Sequence, residues 1–125
     1  MSTLEVSNLN DGTTTVATTY VTNGSAKAWI NFNGSGTIAA RDSFNHSSLT
    51  DNGTGDYTIG LSSAMGNTNY ATTGGIDQMG YAVNIHFHTL ATTSIRVQSD
   101  RDGVGSANYA WDWSFLTAVA HGDLA

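Results

Sequence analysis

A chain of 125 residues with no Cys, no Pro and 14 Gly is sized for one domain that buries roughly two thirds of its unfolded surface. It excludes a disulfide scaffold, a thiolate nucleophile and any cysteine-based zinc site. Charged residues make up 11%, the net charge is -6, and the four basic residues, Lys27, Arg41, Arg96 and Arg101, are scattered, so nucleic acid is not an expected partner.

Thr, Ser and Asn fill the positions where Lys and Glu are usual, and strong helix formers are sparse, which is the composition of an all-β protein. No basic-then-apolar leader and no apolar run of membrane-spanning length is visible, so a soluble, unprocessed chain without membrane insertion is expected. Four Asn-x-Ser/Thr triplets begin at Asn23, Asn33, Asn45 and Asn52. Without a leader they read as Asn-Gly turns and Thr-rich coincidence.

Residues 1–24 hold few large apolar side chains, among them Leu4, Val6 and Val16. Such a stretch cannot order itself, so it reads as an extended arm leaning on the body of the domain or on neighbouring chains. From residue 25 the signal strengthens and a single β domain runs to residue 125. "AKAWINF" alternates Ala28, Ile30 and Phe32 against Lys27, Trp29 and Asn31, and "NGSG" closes it as a strand followed by a turn. "TIAARDSFNHSSLT" supplies one or two strands, and "DNGTGDYTIGLSS" a Gly-rich hairpin turn feeding a strand through Tyr57, Ile59 and Leu61. "SAMGNTNYATTGG" reads as an irregular excursion, with room for one helical turn, before a strand starting near Tyr70.

"MGYAVNIHFHTL" puts Tyr81, Val83, Ile85 and Phe87 on one face and Ala82, Asn84, His86 and His88 on the other. "TSIRVQSD" and a long strand "NYAWDWSFLTAVA" follow, joined by the turn "SDRDGVGSAN". In that last strand Tyr109, Trp111, Trp113 and Phe115 share a face, read as facing inward. About seven short strands between Gly/Asn/Asp turns give an antiparallel β-sandwich, jelly-roll-like, behind an extended N-terminal arm.

The chemistry-bearing candidates are few. His86 and His88 at i and i+2 project together from a strand. One chain gives two imidazoles, short of a zinc site. Three copies around an axis would give six, an octahedral set suited to an axial transition metal; otherwise the pair is polar surface at a subunit seam. Asp51 and Asp56, and Asp100 and Asp102, have the oxygens for calcium but not the EF-hand pattern, and Asp in hairpin turns is expected without it. The only glutamate, Glu5, lies in the arm, so paired catalytic carboxylates do not stand out, and no nucleophile elbow is present. No enzyme activity and no other cofactor are expected.

The blocks Ala28-Trp29-Ile30-Asn31-Phe32-Asn33-Gly34, Arg41-Asp42-Ser43-Phe44-Asn45 and Asp51-Asn52-Gly53-Thr54-Gly55-Asp56-Tyr57, followed by "SIRVQ" and "AVAHGDLA", resemble a module of tail-fibre and related virion proteins of tailed bacteriophages. The resemblance spans about residues 25–125. It implies a homotrimeric, non-enzymatic β appendage of the virion that touches other virion proteins and a host-surface glycan or protein. Two roles follow: a tail-fibre or tail-tip module for host attachment, or a capsid decoration, cement or head-fibre protein clamped through the arm. A polysaccharide-degrading enzyme is a third role by virion analogy alone. Exposed loops at one end would make the contact, with Gly66, Asn67 and Asn69 in one and Arg101, Asp102 and Asn108 in the other.

Overall fold

The computed structural model of the chain describes residues 1–77, 82–102 and 108–125. Within the first 24 residues, β1 (Asn8–Asn10) pairs antiparallel with β2 (Thr15–Ala17), and α1 (Thr18–Gly24) follows. The segment is therefore a hairpin and a short helix rather than an extended arm throughout. The cause is local. Asn10 Oδ1 accepts the Gly12 N–H at 2.7 Å, and Asp11 Oδ1 accepts those of Thr13 and Thr14 at 2.9 and 2.7 Å, side-chain turns that close the hairpin. No residue of this segment is buried, and Leu4, Leu9, Val16, Tyr20 and Val21 lie exposed. Three-residue strands and a seven-residue helix are below the lengths that hold together alone in water.

The body is built from β3 (Ala28–Asn33), β4 (Ala39–Phe44), β5 (His46–Gly53), β6 (Asp56–Leu61), β7 (Ala71–Ile76), β8 (Val83–Leu90), β9 (Ser94–Asp102), β10 (Asn108–Ala110) and β11 (Leu116–His121). All their pairings are antiparallel. One sheet runs β4-β3-β11-β7. In the other, β5 pairs with β6, and β9 has β8 on one side and β6 followed by β10 on the other. The all-β antiparallel sandwich expected from the alternation is what forms.

Period-two alternation directs the core. Ala28, Ile30 and Phe32 of β3 and Leu116, Ala118 and Ala120 of β11 face Tyr57, Ile59 and Leu61 of β6 and Ile95 and Val97 of β9 in one cluster. Phe32 meets Tyr57 edge-on across the sheets, with centroids 5.2 Å apart. The layers close tightly at Gly74 of β7, where an added Cβ would lie 3.0 Å from Ile85 and 3.1 Å from Phe87. Glycine in a strand fits such an approach.

Asn45 turns the chain from β4 in one sheet into β5 in the other with a left-handed φ of 57°, a region Asn enters more readily than most residues. Its Nδ2 donates to the carbonyls of Lys27 and Ser63 at 3.0 Å, and its Oδ1 accepts the Ser63 N–H at 2.6 Å. These bonds tie the entry to β3 to the start of the β6–β7 connection. That connection, residues 62–70, contains no helix. It is held by the buried Met65, which bridges to Leu124, and by Tyr70, whose O–H donates to Ala91 O at 2.8 Å.

Residues 109–121 do not form one long strand. β10 pairs with the end of β9, residues 111–115 cross between sheets, and β11 enters the second sheet between β3 and β7. The crossing exchanges ladder bonds for fixed points described below. The sandwich consequently has two distinct ends. At one lie the exit of α1, Asn45, Met65, the 91–93 turn and the C-terminal residues. At the other lie Gly34, the Gly53–Gly55 turn, the end of β9 and the 111–115 crossing.

Candidate functional site

The second end carries the most chemically distinctive surface. Loss of strand register at Trp111 scatters the aromatic stripe that was expected to face inward. Trp113 is buried at 6% exposure, whereas Trp111 is 40% and Tyr109 54% exposed. Phe115 lies under the Arg41 guanidinium, 5.2 Å from its ring centroid. Tyr109 is the cross-strand partner of Arg101, and the Arg101 guanidinium stacks 3.8 Å from the Trp111 ring centroid, a favourable cation–π distance.

Asp112 fixes this arrangement. Its Oδ1 accepts the Gly55 N–H at 2.6 Å and the Tyr57 O–H at 2.7 Å, while the Tyr57 O–H also lies 2.8 Å from Gly34 O. Burial, reinforced by the bond to Asp112, pushes the Tyr57 phenol well above its usual range, so it stays a donor. The Trp111 backbone N–H donates to Ser99 O at 3.1 Å, and its carbonyl accepts from Ser99 Oγ at 2.8 Å. Gly55, at φ +65°, passes so close that an added Cβ would collide with Ser99 O and the Trp111 N. Glycine is therefore required both for the turn and for the seat of Trp111. Ser35, Thr54, Trp111 and Asp112 line an open groove of about 310 Å³ here.

His86 and His88 both lie exposed on β8. His86 pairs with Gln98, but the register shifts between Phe87 and Thr89, leaving His88 as the extra residue of a bulge. His86 Nε2 is 3.1 Å from Asp100 Oδ2, whose other oxygen accepts from Asn84 at 3.0 Å, and His88 Nδ1 is 2.9 Å from Thr89 Oγ1. The two imidazoles have separate partners, and among the described residues no group of three His, Cys, Asp or Glu could hold a metal. In an axial cage built from three copies, His86 would keep Asp100 on Nε2 and offer Nδ1 to the metal.

The two expected contact loops do not share one end. Gly66 donates its N–H to Asp123 O at 2.8 Å, and Asn67 Oδ1 accepts the Asn69 N–H at 2.7 Å. They sit beside the α1 exit because Met65 bonds to Thr92 in the turn before β9. Arg101 and Asp102 lie at the far end of β9, where Asp102 pairs with Asn108 of β10, about 24 Å from the start of β9 at a strand's rise per residue. Residues 103–107 of that loop, and Tyr81 of the β8 pattern, lie outside the described residues.

The turn aspartates are also accounted for by local bonds. Asp51 Oδ1 accepts the Gly53 N–H at 2.9 Å. Asp56 takes a two-pronged contact from Arg96 at 2.9 and 2.6 Å, with Gln98 and Asn52 adding donors. Hydrogen bonding by Arg96 holds the Asp56 carboxyl far below the usual carboxylate range, against the opposing effect of burial.

Sequence reasoning missed Asp112, Tyr109 and Trp111 as a joint feature. No local signal could have found it, since a carboxylate between two tryptophans in "WDW" is also the alternation of a half-buried strand. No protein-family model matches the chain, and neither a curated protein nor a solved structure does. Among the described residues no helix is long and apolar enough to cross a membrane.

Proposed function

We propose that the chain is a non-enzymatic phage virion protein, a homotrimeric tail-fibre or tail-tip module that contacts the host with the Tyr109–Trp111–Asp112 end. The observation that carries this reading is the division of labour between the ends. The N-terminal hairpin and helix expose apolar residues beside one end, as an element that needs partners would. The opposite end presents exposed aromatics on a hydrogen-bonded frame, the composition of a recognition surface.

Trimer formation is supported by Trp29 and Phe44, exposed cross-strand partners on the outer face of the β4-β3-β11-β7 sheet that neighbouring copies would cover. Virion localisation and contact with other virion proteins follow from the module resemblance and the unpartnered N-terminal segment. Purified protein should adsorb to host cells and compete with infecting particles. Adsorption that is absent, or unchanged when Tyr109 and Trp111 are both replaced by Ala, would defeat the attachment reading.

The exposed N-terminal segment favours a second reading, capsid decoration. There, deletion of residues 1–24 abolishes binding to heads and lowers their stability while host adsorption is untouched.

A further inference from the structure

We infer that Asn23 is a site of spontaneous covalent modification: its side-chain amide is lost to attack by the Gly24 nitrogen, so that the joint between the N-terminal segment and the sandwich changes with age. The inference goes beyond the attachment reading and does not rest on it.

The sequence holds three Asn-Gly pairs, at Asn23, Asn33 and Asn52, each followed by Ser or Thr. Glycine after asparagine leaves its backbone nitrogen open to the side-chain carbonyl carbon, because no Cβ stands in the way. The three local sequences are nearly alike, and their surroundings separate them.

Asn33 is closed to the reaction. Its Nδ2 donates to Ser35 O at 2.7 Å and to Thr37 O at 3.0 Å, and the Gly34 N–H donates to Trp113 O at 2.9 Å. No free space surrounds Gly34, where an added Cβ would lie 2.5 Å from Tyr57 Oη. Asn52 is closed in the same way. Its Nδ2 donates to Asp56 Oδ1 at 3.2 Å and to Thr58 Oγ1 at 2.8 Å, and the Gly53 N–H donates to Asp51 Oδ1 at 2.9 Å.

Asn23 is exposed, and the hydrogen bond its side chain makes is a long one, accepted by Oδ1 from the Thr22 hydroxyl at 3.4 Å. Around Gly24 a Cβ would meet nothing within 4 Å. The remaining restraint is α1, whose helical backbone holds the Gly24 nitrogen away from Asn23 Cγ. That restraint is weak. α1 has seven residues, none of them buried, and no side chain caps its start, whereas helices shorter than about 12–15 residues are marginal in water. Opening its last turn breaks the bond from the Ser25 N–H to Val21 O and uncovers no core.

In the opened turn the Gly24 nitrogen attacks Asn23 Cγ. A bond forms between them, the Cγ–Nδ2 bond breaks, and ammonia leaves with the proton of the Gly24 N–H. Water then opens the cyclic imide. Addition at the side-chain carbonyl gives aspartate, and addition at the main-chain carbonyl gives isoaspartate, in which the chain runs through Cγ. Either product places a negative charge at a helix C-terminus, where the macrodipole disfavours it. Isoaspartate also lengthens the main chain shortly before Lys27, whose N–H donates to Ala120 O at 2.8 Å and ties the chain to the sandwich.

The test is incubation of the full folded chain at mildly alkaline pH, which promotes loss of the Gly24 amide proton, followed by peptide mapping by mass spectrometry and labelling with isoaspartyl methyltransferase. The peptide holding Asn23 should gain the mass of an amide-to-acid conversion and take the label, roughly tenfold or more faster than the peptides holding Asn33 and Asn52. In urea the three should convert at similar rates. Gly24→Ala should slow the conversion in the folded chain by roughly tenfold or more. The inference is overturned if Asn23 keeps its amide in the folded chain over the time in which the unfolded chain loses it, or if Asn33 or Asn52 converts as fast. A preference for Asn23 that persists in urea, or a rate that Gly24→Ala leaves unchanged, would overturn it equally.

Discussion

Asp112 is the residue on which the Tyr109–Trp111 end turns, because one carboxylate oxygen joins the 111–115 crossing to the β5–β6 turn and to the β6 tyrosine. Replacing it by Ala leaves the Gly55 N–H and the Tyr57 O–H without their acceptor, and the expected loss is about 2 kcal/mol of stability, read from a urea melt. Gly55→Ala should cost about 2–4 kcal/mol through positive-φ strain and collision with Ser99 and Trp111. It should also shift the Trp111 fluorescence, which a purely local turn defect would leave alone.

Asp56 controls the acid limb. Its folded pKa is depressed by Arg96, so its contribution is complete above the unfolded value near pH 4 and is lost as pH falls toward the folded value. Because Arg96 is 41% exposed, solvent screening limits the effect to about 1 kcal/mol. Asp56→Asn should flatten the fall in melting temperature below pH 4, and an unchanged acid limb would contradict the assignment. The inward positions Ile30, Phe32, Tyr57, Ile59 and Leu61 were legible from alternation alone, since the signal lies within five residues. Asp112 was not, because its partners are 55 and 57 positions away and no local period carries that information.

At the scale of elements, strands β3, β6, β8 and β9 were legible because each alternates cleanly and is bounded by turn residues. The division of "NYAWDWSFLTAVA" into β10, a crossing and β11 was hidden by an aromatic alternation that continues through the break. It is tertiary anchoring by Gly34, Gly55 and Ser99 that overrides the local preference. The N-terminal segment gave the opposite difficulty. Its poverty in apolar residues was visible, yet the Asn10 and Asp11 side-chain turns fold it into a hairpin without any core. Since none of residues 1–24 is buried, deleting them should leave the melting temperature of the sandwich within a few degrees of the full chain, about 1 kcal/mol or less. The same deletion should remove attachment to the particle. A truncated chain that no longer folds would show that the segment belongs to the domain.

For the whole molecule, the sandwich has chemically unlike ends. Exposed apolar residues of the hairpin and helix lie beside one, and a hydrogen-bonded frame with exposed aromatics forms the other. The exposed Trp29 and Phe44 on one sheet's outer face fit side-by-side association of copies, and light scattering should return three times the chain mass. A monomer at micromolar concentration would remove the trimer from the account. The polarity itself is tested most directly by adsorption. Excess purified protein should block particle binding to host cells, and the Tyr109→Ala/Trp111→Ala double variant, folded and of the same oligomeric state, should not. Blocking by that double variant as strong as by the native chain would contradict the claim that this end meets the host.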